Sequence, residues 1–186
     1  MIATRRRIFR PMKIPLIDNG LDSLTKGYTF LQKYEAMKHS GANDESRFFV
    51  LKDAILSIQH GIEILFKCLL KEKNEVLLFS EVNAKLKAAY QSRKNGEITE
   101  LFELDGVHMV NFRESVERVN DILGIEIDVR LRKALLKIEK WRNSIIHSAV
   151  VLNENEVSNV LFDVMERLDD FFGASIGSRY QVGQGR

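Results

Sequence analysis

Residues 135–150, LLKIEKWRNSIIHSAV, decide the fold because they predict one long amphipathic helix. Apolar residues recur through and just before this stretch at steps of three and four: Leu131, Ala134, Ile138, Trp141, Ile145 and Ala149. That spacing lines one side of a helix, and such a stripe must pack against other helices. The rest of the chain contains further patterns of the same kind, so we expect an all-α fold.

A polar cluster lies on one flank of this helix, beside the apolar stripe. Each residue turns a helix by about 100°, which places five residues within about 140° of one another: Arg142, Ile146, Glu139, Asn143 and His147. A row of lysines follows at about 180°: Lys133, Lys137 and Lys140. An arginine, an amide, a carboxylate and an imidazole on one flank exceed what a helix needs for packing.

The hexapeptide 142–147, RNSIIH, has the form R-N-x-x-x-H and lies in the penultimate helix of a helix-rich chain. In this it resembles the HEPN superfamily of helical-bundle proteins. Many of these are metal-independent ribonucleases of toxin–antitoxin, phage-defence and CRISPR-associated systems. The resemblance covers about half the chain, chiefly 45–73 and 128–172. It implies that Arg142 and His147 form the catalytic pair, that Asn143 accompanies them, and that no cofactor takes part.

These residue types suit cleavage of RNA without a metal. An imidazole can take or give a proton near neutral pH, so His147 fits attack by the ribose 2′-OH, which leaves a 2′,3′-cyclic phosphate. Arg142 stays charged and offers a fork of donors to phosphate oxygens. Resemblance to HEPN enzymes implies a homodimer in which both motifs line one cleft. The expected partners are RNA, a second copy of the chain, and a neutralising antitoxin or regulatory protein.

Three further residues are candidates for supporting roles. Glu139 lies on the same flank as the motif, and His60 and Glu63 lie in HGIEILFK, a segment that looks like the second-helix pattern of several HEPN groups. Glu63 and Lys67 also have the i,i+4 spacing of a stabilising ion pair. A metal site at His60 and Glu63 has no further ligand at a recognisable spacing.

Each motif residue also has a structural interpretation. Arg142 could lie at the edge of the core and pair with Glu139 one turn earlier. Asn143 could face solvent, and His147 could interact with the helix dipole. The alternative function is therefore a non-catalytic, HEPN-like module for dimerisation or for binding protein or nucleic acid.

Periodicity and caps predict an up-and-down bundle of four or five main helices. The first is capped by Asp18 or Asn19, and others cover 45–73 and 76–90. Capping boxes at 111–114 and 153–156 begin two more, which end at Gly124 and Gly173, and Asp128 caps the motif helix between them. Residues 96–111 contain Asp105-Gly106 and form either an irregular insertion or a short β-hairpin.

Composition sets the broader limits. The 186 residues are 45% apolar and 29% charged, with a net charge of +2, which suits a single globular domain and shows no global basic field. We expect a basic flexible arm over 1–16, one helical domain over 17–173 and a glycine-rich tail over 174–186. The single Cys68 and the lack of an apolar run of about 18 residues indicate a cytoplasmic protein outside the membrane.

Overall fold

Six α-helices form the part of the chain that the computed structural model describes, which comprises residues 14–41, 43–148 and 151–180. They are α1 (Leu16–His39), α2 (Asp44–Lys73), α3 (Ala84–Lys94), α4 (Phe112–Asp121), α5 (Val129–His147) and α6 (Glu154–Ile176). Short 3₁₀ turns lie at Glu75–Leu78, Leu101–Glu103 and Gly177–Arg179. The described residues contain no β-strand, so the all-α prediction is confirmed.

Helix α2 is the centre of the fold, since α1, α4, α5 and α6 all pack against it. At about 100° per residue, its buried apolar residues cover slightly more than half of its circumference, from Cys68 through Leu51 to Leu70. The breadth of the apolar pattern over 45–73 predicts this central position. The helix begins after Asn43, whose side chain accepts a hydrogen bond from the Ser46 amide at 2.8 Å.

Helices α1 and α2 approach each other so closely that their backbones are in contact. Gly20 and Gly27 of α1 and Gly61 of α2 are buried in this interface. A Cβ atom on Gly61 would lie 2.8 Å from the backbone nitrogen of Leu24 and 2.9 Å from the backbone oxygen of Gly20. Both neighbours are backbone atoms that cannot rotate away, so this crossing has no room for a side chain at 61.

Helix α1 begins earlier than the sequence predicts. Asp18 or Asn19 is the expected cap, but the helix begins at Leu16 and Pro15 occupies the N-cap position. The carbonyl oxygen of Pro15 accepts a hydrogen bond from the Asn19 amide at 3.0 Å. Asp18 lies instead in the first turn, where its negative charge is favourable at the positive end of the helix dipole.

The prediction of a single helix over 76–90 is wrong, because Asn74 and Asn83 each cap a separate helical segment. Asn74 accepts from the Val76 amide at 3.0 Å and begins a 3₁₀ turn that ends at Leu78. Asn83 accepts from the amides of the next helix and begins α3, which continues past Tyr90 to Lys94. The apolar spacing spans both pieces, so periodicity alone does not reveal the break.

The insertion over 96–111 takes the irregular course and not the β-hairpin. The turn at Asp105-Gly106 does form, with Gly106 at a φ of +79°, a conformation that favours glycine. However, residues 108–110 pair with residues 78–80 instead of with the other side of the turn. The Val110 amide donates to Leu78 at 2.8 Å, and the Ser80 amide donates to the His108 carbonyl at 2.9 Å.

The Arg118 guanidinium of α4 holds residues 77–80 in place. Its Nη1 donates to the carbonyl oxygens of Leu77 and Phe79, each at 2.8 Å, and its Nη2 donates to that of Ser80 at 3.4 Å. Hydrogen bonds from a charged donor are stronger than those between neutral groups. One side chain therefore attaches an irregular segment to the bundle.

The caps predicted for α4 and α5 form. Asn111 and Glu114 make a complete capping box, with both hydrogen bonds at 2.9 Å. Asp128 caps α5, and its carboxylate accepts from the amides of Arg130 at 2.8 Å and Leu131 at 3.1 Å. Short polar patterns thus predict where these two helices begin, because the hydrogen bonds involved are local in sequence.

The cap predicted for α6 forms in part, and its predicted end is wrong. Asn153 accepts from the Glu156 amide at 3.0 Å, but the Glu156 carboxylate accepts from Lys137 Nζ of α5 at 2.8 Å. The helix continues past Gly173 to Ile176. It stops there because the next residue, a glycine, takes a φ of +67°.

Parts of the sequence predictions lie outside the described residues. The structure describes residues 14–16 of the expected basic arm and 174–180 of the expected tail, and Ala149 of the apolar stripe is not described. Within 14–41, 43–148 and 151–180, no helix combines the length and apolar character that crossing a bilayer requires.

Gly61→Ala should destabilise the protein, whereas Gly173→Ala should stabilise it. Alanine at 61 pushes α1 from α2, and overpacking of this kind costs about 1–3 kcal/mol. Gly173 lies inside α6 with no atom within 4 Å of a built Cβ, so alanine there should add about 0.5–1 kcal/mol of helix propensity. Urea denaturation followed by circular dichroism measures both variants. Equal stabilities would contradict the close backbone contact.

Candidate functional site

Arg142, Asn143 and His147 occupy the last two turns of α5, where the helix leaves the core. The apolar stripe of the preceding turns is buried: Leu131, Ala134, Leu135 and Ile138. In the last two turns Trp141 and Ile145 are only half-buried. Arg142 is half-buried as well, whereas Asn143 and His147 are exposed. The three motif side chains are therefore accessible to a ligand at the surface.

Arg142 and Asn143 are joined by a hydrogen bond. Nη1 of Arg142 donates to Oδ1 of Asn143 at 3.0 Å. A guanidinium carries five N–H donors, and this bond uses one of them. The remaining donors of the planar fork suit the oxygen atoms of a phosphate or carboxylate.

Helix α5 ends at His147, whereas the sequence predicts that it continues to Val150. Ser148 takes an extended conformation, with φ −154° and ψ 170°. Its amide and its hydroxyl both donate to the carbonyl oxygen of Ser144 at 3.0 Å. These two hydrogen bonds to one carbonyl oxygen close the last turn and fix the residue at which the helix ends. No described residue makes a hydrogen bond to the imidazole of His147.

Glu139 is not the partner of Arg142. Its carboxylate accepts a hydrogen bond from Nη2 of Arg113 on α4 at 2.9 Å. This hydrogen bond, together with the negative charge of Glu139, raises the pKa of the Arg113 guanidinium. Glu139 therefore links α4 to α5, so the pairing of Arg142 with Glu139 is wrong. The contact of Glu139 with the motif is at most indirect, through the helix they share.

His60 and Glu63 both interact within the α1–α2 part of the bundle. Nδ1 of His60, an exposed residue, lies 2.9 Å from the Ser23 hydroxyl oxygen of α1. Glu63 accepts from Lys67 Nζ at 2.6 Å, which is the ion pair that their spacing predicts, and from Gln59 Nε2 at 3.0 Å. Among the described residues, neither side chain has a hydrogen bond or an ion pair with the motif.

A partly buried polar cluster of Tyr34, Arg47 and Glu154 is not predicted by the sequence. The Tyr34 hydroxyl, on a fully buried residue of α1, donates to the Glu154 carboxylate at 3.1 Å. Nε of Arg47, near the start of α2, lies 3.5 Å from the same carboxylate. Glu154 is the first residue of α6, so the cluster fixes where α6 begins after the segment that follows α5. Glu154 is more than 100 residues from Tyr34 and Arg47 in the chain, so no local pattern reveals the cluster.

Three other features of the described chain could serve as sites: a groove, the buried cysteine and any metal-ligand group. The motif residues belong to none of them. A groove of about 610 Å³ lies between the start of α1, the 75–78 turn and residues 99–103, and the motif residues do not line it. Burial raises the pKa of the Cys68 thiol to about 11, which keeps it from acting as a thiolate nucleophile near neutral pH. The described residues contain no group of three or more His, Cys, Asp or Glu side chains placed to hold a metal ion.

Comparison with known proteins identifies no relative: no family model, no curated protein and no solved structure matches this chain.

The pH dependence of stability should reveal the Tyr34 hydrogen bond. Burial, followed by the hydrogen bond to Glu154 and its charge, raises the pKa of Tyr34 to about 12. The pKa of an unfolded tyrosine is about 10. The contribution of the protonated Tyr34 hydroxyl to the free energy of unfolding is therefore complete below about pH 10 and is lost as the pH rises toward 12. The stability advantage of wild type over Tyr34→Phe should therefore shrink by about 1 kcal/mol between about pH 9 and pH 11.

Urea titrations at both pH values measure this difference, with Tyr28→Phe as the matched control on the same helix. The Tyr28 hydroxyl has no hydrogen bond to any described residue, and its side chain is half-buried. An advantage that stays constant with pH for Tyr34→Phe would contradict the raised pKa.

Proposed function

We propose that this chain is a metal-independent endoribonuclease of the HEPN type, related to toxin or phage-defence enzymes. One observation carries the proposal: Arg142, Asn143 and His147 lie together at the exposed end of α5, with the guanidinium and the amide already bonded. The motif thus combines a fixed cation, a hydrogen-bonding amide and an accessible imidazole. The proposed biological partners are RNA and a neutralising antitoxin or regulatory protein.

The proposed reaction is transesterification at an RNA phosphate. His147 removes the proton of the ribose 2′-OH, the 2′-oxygen forms a bond to phosphorus, and the bond from phosphorus to the 5′-oxygen breaks. The leaving 5′-oxygen takes up a proton, and the products are a 2′,3′-cyclic phosphate and a 5′-hydroxyl. Arg142 stabilises the extra negative charge of the phosphorane, and Asn143 orients Arg142 through their hydrogen bond.

We propose a homodimer in which the ends of two α5 helices meet. The motif of one chain supplies a single imidazole, which cannot readily serve as both base and acid in one turnover, so a second His147 supplies the other function. Ile146, between the motif residues, supports a contact there because it is 49% exposed although it is large and apolar.

The second candidate is a non-catalytic module that uses the end of α5 for dimerisation or for binding a protein or nucleic acid. The exposed side chain of Ile146 favours it, since a partner that covers this side chain removes its apolar surface from water. Under this alternative Arg142 still binds anionic groups, but no bond is broken. Turnover separates the two candidates.

Arg142→Ala and His147→Ala should each abolish most RNA cleavage without unfolding the protein. Loss of general acid–base catalysis costs about 10²–10⁴-fold in rate. Loss of one preorganised charge-stabilising group costs about 10²–10³-fold. Arg142→Lys should stay poor because lysine lacks the planar fork. Asn143→Ala should be milder, since its proposed role is orientation. The measurement is cleavage of a mixed RNA pool in EDTA, with the cyclic phosphate identified by mass spectrometry.

A stability control accompanies this test. Ile138→Ala, in the buried stripe of the same helix, should lower the free energy of unfolding by about 2–5 kcal/mol. Arg142→Ala and His147→Ala should lower it much less, because both side chains reach the surface. Wild-type cleavage rates in both motif variants would refute the ribonuclease proposal. So would a wild-type protein that leaves every RNA intact.

Ile146→Glu should dissociate the dimer and reduce cleavage, whereas Ile122→Glu should do neither. Both residues are exposed isoleucines, and Ile122 lies just after α4. A charge introduced into an apolar contact leaves two carboxylates desolvated across the two-fold axis. Analytical ultracentrifugation at several concentrations measures the association. A monomeric wild type whose specific activity is independent of concentration would contradict the dimer.

A further inference from the structure

Positive charge is concentrated on α5. The helix carries six Lys and Arg residues and one acidic residue, Glu139. The sequence outside α5 and the first 13 residues carries 17 basic and 25 acidic residues. The net charge of +2 for the whole chain therefore hides a positive helix in an acidic surrounding. Helix α3 also has a positive excess, with four basic residues and no acidic one, and it lacks the motif.

Part of this charge forms a continuous surface with the motif. We name as the basic face the three residues Arg132, Lys133 and Lys140. At about 100° per residue, their directions lie within about 100° of one another and include those of Asn143 and His147 between them. All five residues are exposed. The 19-residue helix is about 28 Å long, and the basic face and the motif together, from Arg132 to His147, span about 22 Å of it.

Carboxylates do not neutralise the basic face. Glu139, the acidic residue of α5, bonds to Arg113 of α4, and Glu156 of α6 bonds to Lys137 at 2.8 Å. Within the described chain, no carboxylate lies within ion-pair distance of the basic-face side chains. Their charges are therefore exposed to solvent and available to an anion.

The stability of the helix does not explain these charges. Arg132 lies at the end of the first turn of α5, where the helix dipole favours anions and disfavours cations. Lys133 and Lys137 are spaced i,i+4, and Lys137 and Lys140 are spaced i,i+3, so that like charges are neighbours. Both arrangements weaken a helix. A local conflict of this kind is expected where function requires the residues.

We propose that the basic face binds the phosphate backbone of single-stranded RNA and leads it to Arg142 and His147. A row of cations along one helix matches one row of phosphates, which favours a single strand over a duplex. Contacts to phosphates position a strand and do not read its sequence. This inference rests on the proposed function, because it names the surface along which the RNA substrate of the proposed ribonuclease binds.

The test is binding of a fluorescein-labelled 2′-O-methyl oligouridine of roughly 12 nucleotides, a length suited to single-strand sites. Its blocked 2′-oxygen prevents cleavage, so binding is measured apart from turnover. Fluorescence anisotropy in EDTA compares wild type with the double variant Lys133→Gln/Lys140→Gln. The matched control is Lys87→Gln/Lys94→Gln, which removes two exposed lysines from α3, the other basic helix.

The basic-face variant should bind on the order of tenfold more weakly at low salt, and the α3 control should bind like wild type. The slope of log K against log salt concentration should become shallower by about 1.4, since each lost phosphate contact removes about 0.7. The melting temperature of the basic-face variant should equal or exceed that of wild type. Equal weakening by the α3 control, no weakening by the basic-face variant, or equal affinity for duplex RNA would overturn the inference.

Failure of the inference and failure of the proposed function give different results. If the basic face guides RNA but the chain is not a nuclease, binding depends on Lys133 and Lys140 while unmodified RNA stays intact. If the chain is a nuclease without this path, cleavage depends on Arg142 and His147, and KM is unchanged in the basic-face variant. Binding to anionic lipid vesicles with none to the oligonucleotide would also overturn the inference.

Discussion

The close contact between the backbones of α1 and α2 is the constraint on which the rest of the structure depends. Gly20 and Gly61 allow the two helices to approach until their backbone atoms are in contact, so α1 and α2 form one closely packed helix pair. One side of α2 is covered in this way, and its other sides receive α4, α5 and α6. The position of α5 follows, because its apolar stripe is buried by packing against α2 and α6.

The site forms where that burial ends. Ile138 is fully buried, whereas Trp141 and Ile145 are half-buried, so the last two turns of α5 are held by the core on one side only. Ser148 closes the helix, and Glu154 fixes the start of the next helix through a buried tyrosine. The motif therefore lies at the end of a rigid element and still reaches solvent, which is the usual requirement of a binding or catalytic site.

Electrostatics adds a second constraint on the same helix. Glu139 of α5 and Glu156 of α6 form ion pairs that join α5 to its neighbours. Lys133 and Lys140 remain without a carboxylate in the described chain, although a row of like charges opposes helix stability. Packing and charge thus act on opposite sides of α5: its apolar side fixes its position, and its basic side is left for a ligand.

The sequence by itself determined the helical class, the central place of α2, the caps at Asn111 and Asp128, and the grouping of Arg142 with Asn143. These features depend on contacts within a few residues or on the period of one helix, and a sequence displays both directly. Only the tertiary structure decided the pairing of Glu139 with Arg113, the pairing of residues 108–110 with residues 78–80, and the hydrogen bond from the buried Tyr34 to Glu154. Each of these joins residues from different elements, and which partner a polar group meets depends on how the helices cross, for which a local pattern carries no signal.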